Sequence, residues 1–257
     1  MTKLIAKDIS VIVGEAALVT NASLSLSTGE LVAILGANGA GKTTLLRAVM
    51  GLGDKSGGSS SLDESDCAHL SAIERARLIS YLPQRRPLAW PNLVRDIVAL
   101  GRFAHGATLG KLGNVDQVAV NRALVACDLL ALADRNADTL SGGEIARVHF
   151  ARAIAAQAPL LVTDEPTAAL DPLHQLKIAQ LTRDFVENGG GALVVLHDVA
   201  LAARFADKLI WMREGRIISS GTPEETLNAK TMADVYGVKA HVSRDEHGFD
   251  VRIEASM

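Results

Sequence analysis

The residue pattern with the clearest chemistry is a glycine-rich segment from Gly36 to Thr43, which we call the phosphate loop. It reads Gly-Ala-Asn-Gly-Ala-Gly-Lys-Thr and matches G-x-x-x-x-G-K-[ST], a pattern whose backbone N–H groups approach phosphate oxygens. Lys42 would reach the β- and γ-phosphates, and the Thr43 hydroxyl would bind Mg²⁺. The segment predicts a site for ATP and Mg²⁺. Its predicted nucleotide-binding residues are Gly36, Asn38, Gly39, Ala40, Gly41, Lys42, Thr43 and Thr44.

The residues on either side of the phosphate loop predict the elements that hold it. Leu31 to Leu35 is a continuous apolar run between glycines, which is typical of a buried strand in a parallel sheet. Thr44 to Met50 has a helical pattern that glycines end. A strand, a glycine loop and a helix in this order place the positive end of the helix dipole at the phosphates.

Two adjacent carboxylates follow a second apolar run. Leu160 to Thr163 predicts another buried strand, and Asp164 and Glu165 come directly after it. Ligand sites in open α/β sheets lie at the carboxyl ends of strands. We therefore predict that Asp164 binds the Mg²⁺ and that Glu165 orients or deprotonates the attacking water. Two acids at a strand end are also compatible with a solvated terminus.

The other segments predict an α/β chain with two additions. A third buried strand runs from Ala192 to Leu196, with helical stretches between the strands, as in a parallel sheet. Leu4 to Val13 and Ala22 to Leu26 suit antiparallel strands of an N-terminal β subdomain. Residues 85–158 show helical patterns only, so we predict an inserted helical subdomain there. Residues 1–84 and 159–257 would complete a single domain, 1–257.

Turn residues predict further local structure. Glu214-Gly215 would turn a hairpin between Lys208 to Met212 and Arg216 to Ser220, and two short strands would end the chain. Asp54 to Ser61 is rich in Gly and Ser and predicts a loop.

Bulk properties exclude several classes of function. The 257 residues carry a formal net charge of −3, so no basic balance indicates nucleic acid as a partner. No apolar run approaches the ~20 residues that a membrane helix needs. We therefore expect a soluble, cytoplasmic protein, and any contact with a membrane would go through another protein.

A further segment, Leu140-Ser141-Gly142-Gly143-Glu144, precedes a helical pattern. Ser141 is a good N-cap, and the glycines give close access to an anion-binding helix end. With the phosphate loop, this signature segment resembles the signature motif of ABC transporter ATP-binding subunits, which have a P-loop NTPase core. The resemblance covers nearly the whole chain. It implies that Ser141, Gly142 and Gly143 close the nucleotide site of the other chain in a homodimer.

The other motifs of that family occur in order. Gln84 resembles the Q-loop glutamine, which touches Mg²⁺ or the attacking water, and His197 resembles the switch histidine at the γ-phosphate. Ala169-Leu170-Asp171 is similar to the D-loop, a segment that crosses the dimer interface in that family. The resemblance implies catalytic roles for Glu165, His197 and Gln84, metal binding by Thr43, Asp164 and Gln84, and nucleotide binding by Asp171.

The sequence departs from the family at two places. The aromatic residue that usually stacks on adenine is replaced near Val13, and no aromatic residue precedes Tyr81. We expect Val13 to give only an apolar contact, hence weak base discrimination. Gly57 to Glu64 is serine-rich where the family has an apolar strand, so it suits at most a weak edge strand.

Three stretches resemble the branch that imports iron–siderophore complexes, haem and cobalamin. They are Ala76 to Gln84, Leu100 to His105 and His197 to Asp207. The resemblance implies two copies of this chain, two membrane-spanning permease subunits and, indirectly, a periplasmic or surface substrate-binding protein. It places the chain at the cytoplasmic face of the inner (plasma) membrane.

Other functions remain open at this stage. The same motifs occur in the soluble ATPase of an iron–sulfur cluster assembly scaffold and in exporters or metal-ion importers. They also occur in translation factors, which usually carry two such domains, whereas this chain has one phosphate loop and one signature segment.

Overall fold

The computed structural model describes residues 1–84, 92–108, 110–246 and 248–256. The strands are β1 Lys3–Val13, β2 Ala16–Ser27, β3 Leu31–Gly36, β4 Gly57–Leu62, β5 Ser65–Asp66, β6 Ile79–Leu82, β7 Leu160–Asp164, β8 Gly191–Val195, β9 Lys208–Arg213, β10 Arg216–Gly221, β11 Val238–Asp245 and β12 Gly248–Ser256. The α-helices are α1 Lys42–Val49, α2 Ala72–Leu78, α3 Val94–Ala99, α4 Asn114–Ala126, α5 Gly142–Ala155, α6 Pro172–Glu187, α7 Val199–Phe205, α8 Pro223–Thr226 and α9 Ala229–Tyr236.

A six-stranded sheet forms the centre of the molecule, in the order β10-β9-β3-β8-β7-β6. All neighbouring strands from β9 to β6 are parallel, and only β10 is antiparallel, in a hairpin with β9. The strands β3, β7 and β8 are buried along their whole length, as their continuous apolar runs predict. The predicted α/β fold with a parallel sheet is confirmed.

The two faces of the central sheet pack against different layers. On one face, Val32 and Ile34 join a core with α1 and the antiparallel sheet β2-β1-β4-β5. On the other face, Leu31, Ala33 and Leu35 pack in a core with helices that include α3, α5 and α6. Because alternate side chains of β3 point to opposite faces of the sheet, this strand contributes to both cores.

The serine-rich segment forms β4 from Gly57 to Leu62, so the prediction of a loop from Asp54 to Ser61 is wrong from Gly57 onward, whereas a strand over part of Gly57 to Glu64 was expected. Ser59, Ser60 and Ser61 pair with β1, and β4 lies between β1 and the two-residue β5. A Cβ atom on Gly58 would lie 2.4 Å from the carbonyl oxygen of Asp8. Small residues allow this close pairing, and the partner strand overrides the weak β-propensity of the segment.

Helices α3, α4 and α5 lie between β6 and β7 in the chain and pack on one another. They fall within the predicted helical subdomain, whose first residue, Arg85, lies outside the described residues. The boundaries of that subdomain stay a prediction. Among the described residues, no helix is long and apolar enough to cross a bilayer.

The segment Leu100–His105 is a short 3₁₀-helix that holds the C-terminal end of α5. The buried Arg102 guanidinium donates to the carbonyl oxygen of Ala155 at 2.9 Å and to Oε1 of Gln157 at 2.9 Å. It also pairs with Asp116 Oδ1 on α4 at 2.8 Å. A cation at the carbonyl end of a helix complements the helix dipole. This stretch therefore fixes one end of α5.

Candidate functional site

Four adjacent strands bring the predicted catalytic and metal-binding residues to one edge of the central sheet. The strands β3, β8, β7 and β6 are parallel neighbours, so their carboxyl ends meet at that edge. The phosphate loop follows β3, His197 follows β8, Glu165 follows β7 and Gln84 follows β6. This is the edge where open α/β sheets bind ligands.

Backbone contacts define the conformation of the phosphate loop. Gly36 has a φ of 156° and Gly41 a φ of 94°. A Cβ atom would lie 2.4 Å from the Met212 carbonyl oxygen at Gly36, and 2.5 Å from the Leu18 carbonyl oxygen at Gly41. Glycine is therefore required at both positions by the neighbouring strands as well as by access to phosphates.

The β9–β10 turn supports the phosphate loop from outside. Glu214 and Gly215 both have positive φ, as a tight hairpin turn requires. The N–H of Gly215 donates to the Ala40 carbonyl oxygen at 3.1 Å, and its carbonyl oxygen accepts from the N–H of Thr20 at 2.8 Å. The predicted turn thus ties the loop to β2.

Lys42 is 5% exposed, and its ammonium group folds back over the loop. Nζ donates to the carbonyl oxygens of Gly36 at 2.8 Å and Ala37 at 3.0 Å. Burial lowers the pKa of Lys42, whereas the charges of Glu165 and Asp164 act in the opposite direction. The loop therefore carries a positive charge that is poorly solvated and only partly balanced, which favours an anionic ligand.

Asp164 is 1% exposed and receives a hydrogen bond of 2.8 Å from the Thr43 hydroxyl at Oδ2. Its Oδ1 is buried and has no hydrogen-bond partner among the described residues. Burial raises the pKa of this carboxyl, and the charge of Glu165 adds to that effect, against the hydrogen bond from Thr43. A buried, unpartnered carboxylate oxygen beside a hydroxyl is a donor set that suits a hard cation.

Glu165 lies just beyond β7 and has a φ of 50°. This left-handed residue ends the strand, so the side chains of Asp164 and Glu165 do not simply alternate as in extended chain. Oε1 of Glu165 lies 2.6 Å from Nε2 of His197, and Oε2 accepts a short hydrogen bond from the Gln84 amide. One carboxylate thus joins the residues that follow three strands.

A cleft of about 350 Å³ opens between the phosphate loop and the side chains of Gln84 and Glu165. Its lining residues include Asn38, Gly39, Ala40, Gly41, Lys42, Thr43, Thr44, Gln84, Glu165 and Leu18. Leu18 is not among the site residues predicted from the sequence, and β2 places it at the edge of the loop. Val13 ends β1, is 62% exposed and does not line this cleft.

The signature segment lies at the N-terminus of α5 and does not line the cleft of its own chain. Ser141 is the N-cap and forms a capping box with Glu144. Oε2 of Glu144 accepts from both the N–H and the hydroxyl of Ser141 at 2.8 Å, and these bonds lower the pKa of Glu144. Ser141 and Gly142 are exposed, whereas Gly143 is buried.

Asp171 also lies away from the cleft, as the N-cap of α6. Its carboxylate accepts from the backbone N–H of His174 at 2.9 Å and contacts Nδ1 of the same residue at 2.8 Å. The hydrogen bond from the His174 backbone is the main cause of its lowered pKa. Within one chain, the structure joins Asp171 to His174 and not to the phosphate loop.

Comparison with known protein families agrees with this geometry. The sequence model of the family described as ABC transporter matches residues 19–168, which is more than half of the chain. Hemin import ATP-binding protein HmuV of Pseudomonas aeruginosa is 41% identical over 226 residues, covering 86% of this chain and 87% of the relative. The protein of that name from Rhodococcus jostii is 38% identical and covers 90% of this chain and 79% of the relative.

Solved structures show the same fold. An inward-facing metal-chelate type ABC transporter matches with a TM-score of 0.84 at 23% identity, covering 100% of this chain and 98% of the other. A dimeric ATP-binding cassette in a post-hydrolysis state with ADP and phosphate matches with a TM-score of 0.74 at 27% identity, covering 85% and 98%. The family match, the curated relatives and the shared fold establish that this chain belongs to the ABC transporter family of ATP-binding, ATP-hydrolysing proteins.

Proposed function

We propose that this chain is the ATP-hydrolysing subunit of an importer for an iron complex, either a siderophore or haem, or for cobalamin. The observation that carries the ATPase part is the connection of Glu165 to both His197 and Gln84 beside the phosphate loop. The similarity to hemin import proteins supports the choice of cargo class. A cobalamin import ATP-binding protein of Halobacterium salinarum is 36% identical, covering 86% of this chain and 55% of the relative.

The position of each side chain supports the role in hydrolysis that we propose for it. Lys42 binds the β- and γ-phosphates with its buried ammonium group and exchanges contacts with loop carbonyls for phosphate oxygens. Glu165 orients the attacking water, and His197 and Gln84 hold that carboxylate in place and reach the γ-phosphate and the water. Catalysis would come from positioning and electrostatic stabilisation, since phosphoryl transfer needs little covalent chemistry from the protein.

Mg²⁺ fits the residues beside the loop. Thr43 Oγ1 and the unpartnered Oδ1 of Asp164 would hold it, and Gln84 is the third residue that we propose for the ion. Bound there, the ion neutralises charge that develops on the phosphate oxygens. The described residues contain no group of three or more His, Cys, Asp or Glu side chains that could hold a metal. Mg²⁺ is compatible with this, because it keeps several waters and uses one or two carboxylates together with phosphates.

A second copy of the chain would complete each site. Ser141, Gly142 and Gly143 lie at the N-terminus of α5, outside the cleft of their own chain, and a helix N-terminus can bind phosphate. We propose that ATP binds between the phosphate loop of one chain and the signature segment of its partner. Closure of this homodimer would move two permease subunits, at the cytoplasmic face of the membrane.

Reconstitution tests this function and selects the cargo. Proteoliposomes would contain this chain with a candidate permease pair, and uptake of haemin, a ferric siderophore or cobalamin would be measured with and without ATP. We expect ATP-dependent uptake of one of these, and none with Lys42→Ala. A wild-type chain that hydrolyses ATP and binds no permease would instead support a soluble ATPase of a cluster-assembly scaffold.

A further inference from the structure

The first turn of α6 places an imidazole against the signature segment. A Cβ atom on Gly143 would lie 2.0 Å from Cδ2 and 2.3 Å from Nε2 of His174. Nonbonded carbon atoms do not approach so closely, so the ring occupies the space that any other side chain at position 143 would need. This contact explains why Gly143 is buried while Gly142 beside it is exposed.

Asp171 holds the imidazole in this position. Nδ1 of His174 lies 2.9 Å from Oδ1 and 2.8 Å from Oδ2 of Asp171, and the backbone N–H of His174 donates to the same carboxylate. The His174 side chain is only 23% exposed. Because the ring cannot turn away without losing these bonds, its contact with Gly143 is fixed by the N-terminus of α6.

We propose that His174 is a positioning residue that locks the D-loop to the signature segment of the same chain. The inference rests on the proposed dimeric ATPase, in which both segments face the partner. With this lock, a shift of Asp171 at the interface is transmitted directly to the helix end that binds the partner's nucleotide. Gly143 is then a glycine because His174 fills the site of its Cβ, in addition to any need for access to phosphate.

A double-mutant cycle tests the contact, measured as steady-state ATPase activity of the assembled transporter. Gly143→Ala should reduce turnover at least about tenfold, because its methyl group displaces the ring. His174→Ala should reduce turnover about threefold to tenfold. The double variant should recover to the level of His174→Ala, since the new methyl group enters the space left by the ring. A double variant as slow as Gly143→Ala would overturn the proposal.

Gly142 provides a matched control, because a Cβ atom there would meet nothing within 4 Å. The effects of Gly142→Ala and His174→Ala should multiply, with no recovery in the double variant. Recovery at both glycines would overturn the specific contact with Gly143.

Two further readouts separate positioning from a loss of folding. His174→Asn keeps a donor for Asp171, so it should retain more turnover and a higher Hill coefficient for ATP than His174→Ala. ATP affinity of the single chain, measured by calorimetry, should stay within about twofold of wild type, because His174 is not in the cleft. Unchanged turnover and Hill coefficient in both variants would overturn the inference. An inactive wild-type transporter would overturn the proposed function instead.

Discussion

The phosphate loop and the signature segment are both predicted to face the same nucleotide, yet the fold treats them differently. At the phosphate loop, Lys42 and Asp164 are almost fully buried, and the surrounding side chains follow four neighbouring strands of one sheet. At the signature segment, Ser141 and Gly142 are exposed. The capping box between Ser141 and Glu144 satisfies the backbone N–H groups of these two residues. The central sheet thus preassembles one proposed half of the site, whereas the other proposed half is a helix end that only a second chain could bring to the nucleotide.

The largest effect should come from the carboxylate that connects three strands. Glu165→Gln keeps the shape of the side chain but removes the negative charge that orients water, so turnover should fall about 10²–10⁴-fold while ATP still binds. Single-turnover phosphate release and calorimetry measure the two quantities. Phosphate release at the wild-type rate would remove Glu165 from the mechanism.

Lys42→Ala should weaken ATP binding at the phosphate loop, even in the single chain. The buried ammonium group is the main cation of the loop, and charge-assisted hydrogen bonds to phosphate are its main contribution, so ATP affinity of the single chain should fall at least about 100-fold. Calorimetry on the isolated chain measures this. Gly142→Ala is the matched control at the other half, where affinity of the single chain should not change.

Glu144→Gln should strengthen the interaction of the signature segment with the nucleotide. Gln can also form a capping box, while the substitution removes an anion from the helix end predicted to face phosphate. The ATP concentration for half-maximal activity of the assembled transporter should fall about twofold to fivefold. Glu64→Gln, in the exposed turn between β4 and β5, is the control for charge alone. An increased ATP requirement in Glu144→Gln would contradict this electrostatic account.

The cleft should discriminate only weakly between adenine and guanine nucleotides. Among the described residues that line the cleft, none is aromatic, and Leu18 is an apolar side chain at its edge, so affinities for GTP and ATP should differ by less than about threefold. Leu18→Trp should tighten binding of both through stacking worth about 1–3 kcal/mol. The comparison with Val13→Tyr decides which of the two positions meets the base. GTP binding more than about tenfold weaker than ATP binding would disprove weak discrimination.

The smallest effect concerns stability without nucleotide. Burial raises the pKa of Asp164 above its unfolded value, so its ionised form opposes folding at neutral pH, and this opposition fades as pH falls through the folded pKa. Asp164→Asn should therefore raise the melting temperature at pH 7, at about 2–4 °C per kcal/mol for a chain of this size. The gain should shrink at acidic pH. Asp54→Asn, an exposed control, should show neither change. A gain in the melting temperature of Asp164→Asn that grows on acidification would contradict the predicted pH dependence.

Local patterns predicted the parts of the site that depend on neighbours in sequence. The buried strand, glycine loop and helix around Lys42 follow from apolar runs and glycine spacing, and so does the turn at Glu214. The resemblance to the family supplied Gln84 and His197, whose types alone are compatible with ordinary surface or strand-end positions. Their meeting at Glu165 needs the strand order, which local periodicity does not contain.

The features that the sequence predicted only weakly or not at all depend on contacts between distant segments. The Ser59 to Ser61 strand forms because β1 offers an unpaired edge, and a propensity scale gives no sign of that edge. Leu18 reaches the cleft through the register of β1 and β2. In the sequence, His174 is an ordinary residue in the first turn of a helix, and the role proposed for it rests on its close approach to Gly143.

The buried Arg102 anchor has a mechanical consequence for the whole subunit. It fastens the C-terminal end of α5, and the signature segment lies at the other end of a helix of 14 residues. At a rise of 1.5 Å per residue that helix is about 21 Å long, so a small tilt at the anchored end would give a larger displacement of the signature segment. A tilt of about 5° at the anchored end would sweep Ser141 through about 2 Å, the difference between a formed and a broken hydrogen bond.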